Sequence, residues 1–204
     1  MSTMPPVSAT THSAVAAPHQ FAERKARRLA YRTIGVGTPI VLCTRFRGNL
    51  DTWDPAFLDG LAGRGFQVIT FDYSGLGLST GTPSYDLTAL AGDALDLIDA
   101  LGFERVVLGG WSLGGLAAQV FIAQHPGRVS HAVLAALKTT RVPILHIGGD
   151  HDISFPVENW YALNRQLPTL QLVTFPQTGH GPQHQHPEAA AATIEAFVRS
   201  TGAH

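Results

Sequence analysis

The chain has 204 residues, 45% of them hydrophobic and 14% charged, which provides for one domain with a core and excludes a disordered tail or a highly charged binding module. Fourteen Lys plus Arg against fifteen Asp plus Glu give a formal net charge of -1, and no basic block occurs, so a nucleic-acid partner has no electrostatic support. The single cysteine, Cys43, excludes an intrachain disulfide framework and a cysteine-rich zinc site.

Residues 1–19 (MSTMPPVSATTHSAVAAPH) are small, polar and proline-bearing, without apolar periodicity, and predict a disordered lead-in. They lack the basic start and the apolar run of roughly 7–15 residues of a secretory signal, so a cytoplasmic protein is expected. Residues 20–34 read as two short strands with a turn near Lys25 and Ala26, and PIVLC after Gly37 as a buried strand. A helix over Trp53–Arg64 and a strand over Gln67–Phe71 follow. Ser84 is placed to cap the next helix, in which Leu87, Leu90, Ala91, Ala94, Ile98 and Leu101 recur at helical spacing before Gly102 ends it. Val106–Gly109 is a strand, Leu113–His125 a helix, Val129–Leu134 a strand and VPILHI (142–147) a buried strand. A helix around Pro156–Gln166, a strand at Leu170–Phe175 and a helix from Pro187 to Val198 complete the chain. This alternation predicts an α/β fold: a mainly parallel central sheet flanked by helices on both faces, one domain over residues 20–200.

Two features need separate reading. Val106–Ala123 carries no charge and approaches a membrane span in length, but four glycines with Trp111, Ser112 and Gln119 interrupt it, so no membrane partner is expected. Between Leu134 and Val142 stand seven residues, AALKTTR, where a parallel strand pair needs a crossover of about a dozen. Either the two strands are not parallel neighbours, or an excursion has been lost at 135–141.

The chemistry concentrates at residues 106–115, VVLGGWSLGG. Gly110-Trp111-Ser112-Leu113-Gly114 matches G-x-S-x-G directly between a strand and a helix, the setting that exposes a serine hydroxyl on a sharp turn at the carboxyl end of the sheet. The Leu113 amide opens the following helix, whose positive end suits a developing oxyanion. Asp150 and Asp152 both follow the VPILHI strand at the rim where an acid could orient an imidazole. Of ten histidines, His180 is singled out by Gly179 and Gly181 on either side and by its place after the LQLVTF strand. His184 and His186 follow it closely without the ligand-like spacing of a metal site, so no metal is expected. No dinucleotide fingerprint or phosphate loop is present, and no cofactor is expected.

These residues resemble the α/β-hydrolase superfamily, in particular its serine esterase, lactonase and cofactor-free haloperoxidase-like branch. The resemblance covers residues 20–200 and includes FDYSGLGLST (71–80), with Ser74 where the family has Arg, GGDHD (148–152) with Pro156, and TGHG (178–181). It implies a triad of Ser112, Asp152 and His180, Asp152 being chosen over Asp150 by its spacing from Gly149 and Pro156. It also implies an oxyanion hole from the Phe46 and Leu113 amides, although Thr44 and Arg45 replace the family's His and Gly. Trp111 and Arg45 become pocket candidates, Arg45 with Arg47 being suited to an acidic substrate group or to solvent, and Trp53 is placed in the core.

The implied function is hydrolysis of a small-molecule carboxylic ester or lactone through an acyl-enzyme. The short link implies that the family's cap domain is missing, which exposes the entrance, is compatible with a homo-oligomer, and favours small esters with little chain-length discrimination. The alternatives are a poorly active or inactive cap-less protein, and a non-catalytic small-molecule binding protein of the same fold.

Overall fold

Eight strands form a single sheet in the computed structural model, which describes residues 13–133 and 141–202. In chain order the elements are β1 (Gln20–Arg24), β2 (Arg27–Ile34), β3 (Thr38–Cys43), α1 (Pro55–Ala62), β4 (Phe66–Phe71), α2 (Leu87–Ala100), β5 (Val106–Gly110), α3 (Leu113–Gln124), β6 (Val129–Val133), β7 (Ile144–Gly149), α4 (Val157–Asn164), β8 (Leu170–Phe175), α5 (Pro182–Gln185) and α6 (Pro187–Thr201). Their spatial order is β1-β2-β4-β3-β5-β6-β7-β8. β2 runs antiparallel to both β1 and β4, and every other pair is parallel. The alternating pattern therefore has the layered consequence expected of it.

Two cores follow from the pleat, one on each face of the sheet. Val41, Ile69 and Leu108 point to the face covered by α2 and α3, where Leu97, Ala118 and Phe121 meet them. Ile40, Val68 and Val107 point to the other, where Phe57 and Leu61 of α1 pack with Ile194 and Phe197 of α6.

The first hairpin turns at Lys25 (φ 48°) and Ala26 (φ 60°), two left-handed residues that match the twist of the strands they join. Cap chemistry at α2 differs from expectation. Asp86, not Ser84, is the N-cap, accepting from the amides of Thr88 and Ala89, while Ser84 Oγ accepts from the Asp86 amide one step earlier. Gly102 at φ 73° ends the helix as anticipated. The end of the predicted lead-in is ordered: Ser13–Ala17 form a turn, and Ala14 and Ala17 are buried in the core against α1, with the Ala14 amide donating to Asp59. Residues 1–12 lie outside the described residues.

β6 and β7 are parallel neighbours, which removes the first reading of the short link. Their register explains how a short link suffices. Val129 opens β6 level with Val106, but β7 begins only opposite Ala132, the fourth residue of β6. Ile144 therefore lies only about one residue, roughly 3.3 Å along the strand direction, behind Val133, the last described residue of β6, and not a whole strand behind it. The expected opening around Ala135–Arg141 falls, Arg141 apart, outside the described residues.

Candidate active site

The loop 72–81 braces the carboxyl end of the sheet. The Asp72 carboxylate accepts from the amides of Leu50 and Leu78, both at 2.7 Å, and so ties the loops after β3 and β4 together. Gly77 lies at φ 53°, where a Cβ would come within 2.1 Å of Asp72 Oδ2. Ser74 bonds Asp93 through its amide and hydroxyl, and Arg27 of β2 pairs with Asp93 and Asp96 beside it.

Ser112 stands at the turn from β5 to α3 with φ 56° and ψ −122°, a conformation that costs an L-residue about 1–3 kcal/mol and persists only where neighbours enforce it. They do so by close approach. A Cβ on Gly110 would lie 2.5 Å from the Gly114 carbonyl oxygen, and one on Gly114 would lie 2.0 Å from that of Cys43. The Trp111 amide donates to the same Cys43 carbonyl at 3.1 Å, so strand β3 clamps the elbow from the side. Burial pushes the Cys43 thiol up to about 12, so it is no rival nucleophile.

The chain leaving β3 turns back sharply: Arg47 is at φ 56° and the Gly48 amide donates to the Arg45 carbonyl. Among the described residues the amides of Phe46 and Leu113 have no acceptor. Thr44 is fully buried and its Oγ1 has no partner among the described residues. Arg45 does not line the cavity described below: its guanidinium lies over the Trp111 ring at 5.4 Å and donates to the Phe46 carbonyl.

The two acid candidates separate cleanly. Asp152 Oδ2 is 2.9 Å from His180 Nδ1, while its Oδ1 accepts from the amides of Ser154 and Phe155. Asp150 instead pairs with His151 Nδ1 at 2.7 Å and accepts from the Thr178 amide. Burial pushes the Asp152 carboxyl up, but the bonds from His180, Phe155 and Ser154 outweigh it and hold it below its ordinary value. His151 likewise holds Asp150 low.

His180 is pinned on two sides. Phe155 stacks on its ring at 5.3 Å and 12°, and Trp111 Nε1 donates to its carbonyl at 3.0 Å. Trp111, next to the serine, thus also fixes the histidine loop, and His184 packs on its ring at 4.8 Å. Ser112, Asp152 and His180 line one cavity of about 110 Å³. No hydrogen bond joins Ser112 to His180 among the described residues. The cavity passes between the layers: Leu42, Phe57 and Ile194 wall it on the α1/α6 side, and Leu116, His146 and Trp160 on the α3/α4 side. Trp53, expected in the core, is buried and lines the cavity as well. Sequence reading missed Phe155, Trp160 and His146, although a histidine inside the apolar run VPILHI was a visible signal.

The mainly parallel sheet thus carries a glycine-flanked serine elbow at its carboxyl end, with an Asp–His pair on the wall of the same cavity. The sequence profile of the alpha/beta hydrolase fold family matches residues 38–140, and the chain belongs to that family. It is 31% identical over 110 residues to a Mycobacterium tuberculosis protein that carries the name non-heme bromoperoxidase, covering 54% of this chain and 42% of the relative. It is 36% identical over 108 residues to a Synechocystis protein that carries the name non-heme chloroperoxidase, covering 52% of this chain and 39% of the relative. The matches thus span about two fifths of these relatives' length. An α/β hydrolase fold protein from Chitinophaga pinensis superposes with a TM-score of 0.85 at 24% identity, over 93% of this chain and all of the other. Among the described residues no helix is long and apolar enough to cross a membrane.

Proposed function

We propose that this chain is a serine hydrolase that cleaves a carboxylic ester or lactone of a small molecule through an acyl-enzyme. The observation that carries the reading is the strained Ser112 and the 2.9 Å Asp152–His180 pair on the wall of one cavity. Asp152 accepts the Nδ1 proton of His180, which leaves the Nε2 lone pair as the base. As Ser112 Oγ attacks the carbonyl carbon, its proton passes to His180 Nε2, and the oxyanion is held by the amides of Phe46 and Leu113. Collapse expels the alkoxide, which takes that proton. Water, deprotonated by His180, then attacks the acyl-serine and releases the acid. The missing Ser112–His180 bond fits a site whose hydrogen bonds tighten when substrate binds.

A serine-directed phosphonate should add one label to the chain, and Ser112→Ala should abolish the label and lower ester turnover at least about 10³-fold. Labelling or turnover that survives Ser112→Ala overturns the assignment. Ligand binding with neither labelling nor turnover in the unmodified protein would instead mark a binding protein of this fold.

A further inference from the structure

His146 is out of place by composition. It follows Ile144 and Leu145 on β7 and precedes Ile147, yet it is one of the residues that line the cavity, with Nε2 buried and without a partner among the described residues. Two neighbours fix that ring. Trp160 of α4 stacks on it at 3.6 Å between centroids and 20° between planes. Gly148, also on the cavity wall, leaves room for its edge: a Cβ there would lie 3.0 Å from His146 Nε2. Trp160 Nε1 is buried and unpartnered too. Buried polar atoms are bonded in nearly all cases, so two stacked rings that both leave a nitrogen unpaired at one cavity call for a ligand.

We propose that His146 and Trp160 form a specificity subsite, and that the part of the substrate entering it carries an uncharged oxygen, a hydroxyl, ketone or ether, that pairs with these two ring nitrogens. The proposal rests on the hydrolase reading and deepens it. An indole nitrogen only donates, whereas the imidazole Nε2 donates or accepts according to its tautomer, so a hydroxyl suits both tautomers and a ketone or ether the one that carries the proton on Nε2. An anion does not suit the place, because Leu42, Phe57, Ile147 and Ile194 supply no counter-ion and the nearby Asp152 carboxylate repels it. A plain alkyl group would leave both nitrogens unpaired, which is the situation in which sites built for a hydrogen bond discriminate most strongly.

Two matched ester pairs test this: butanoyl against hydroxybutanoyl nitrophenyl esters, and butyl against methoxyethyl acetates, so that the oxygen lies in the acyl part of one pair and the alcohol part of the other. The oxygen-bearing member of one pair should be preferred about 10- to 100-fold in kcat/KM. His146→Phe, which keeps the stack on Trp160 but removes the nitrogens, should bring that ratio close to one, and Trp160→Phe should reduce it. A ratio near one in both pairs for the unmodified protein, or a ratio unmoved by His146→Phe, overturns the proposal. Calorimetric binding of hydroxybutanoate, butanoate, methoxyethanol and butanol to Ser112→Ala reads the same preference without turnover. A preference there that His146→Phe removes, with no ester hydrolysed by the unmodified protein, would sustain the subsite and overturn the hydrolase reading alone.

Discussion

Asp150 and Asp152 stand two residues apart on one loop and differ in what an imidazole needs from them. Asp152 faces His180 Nδ1 and is held by two amides of its own loop, whereas Asp150 is spent on His151 and the Thr178 amide. Asp152→Asn should therefore lower ester turnover by about 10⁴-fold, through the wrong histidine tautomer, while Asp150→Asn should leave it within a few-fold and lower the melting temperature. Equal effects of the two substitutions in steady-state kinetics would contradict this assignment. At His146 the consequence is acid lability. Burial lowers its pKa from 6.5 to about 4, with Asp152 opposing the shift. The unfolded chain then takes up the proton first as pH falls, so stability is full above about pH 6.5, declines towards pH 4, and is lost by on the order of 3 kcal/mol below that. Urea midpoints measured across this window should fall less steeply for His146→Phe than for the unmodified protein. His131 and His184, also lowered by burial, give the variant the smaller slope that remains.

Among the elements, the elbow tolerates little change. A methyl group at Gly114 would meet the backbone of β3 and not a side chain that can swing away, so Gly114→Ala should cost about 2 kcal/mol or more in urea unfolding and displace Ser112. At the start of α2 the demand is milder: Asp86→Ala should cost about 1 kcal/mol and Ser84→Ala a few tenths, since only Asp86 satisfies two first-turn amides. That cap shows where sequence legibility stops. Periodicity placed α2, because Leu90, Ala91, Ala94 and Ile98 must share a buried face. It placed the cap two residues early, at Ser84, because the cap depends on where the backbone leaves the extended region. β8 was readable to the residue, being a short apolar run between turns. α5, four residues long beside Gly181, carries no period to read, and yet it helps to place His180 and the cavity rim.

At the scale of the whole molecule, the layered sheet was legible in the alternation of strands and helices, Ser112 and His180 in the glycines that flank them after a strand, and Asp152 only through the family spacing from Gly149 and Pro156. The register between β6 and β7 was not, since stagger between neighbouring strands leaves no mark in composition or period. The elements around that register also divide the candidate triad. Ser112 follows β5, whereas Asp152 and His180 follow β7 and β8, as the two halves of a latch, and α6 helps to hold them together, since its Ala191 and Ile194 share a core with Leu145. Mild denaturant that parts the two halves should abolish esterase activity at lower urea than helical circular dichroism, and coincident curves for activity and dichroism would mean that the latch opens only when the whole sheet melts.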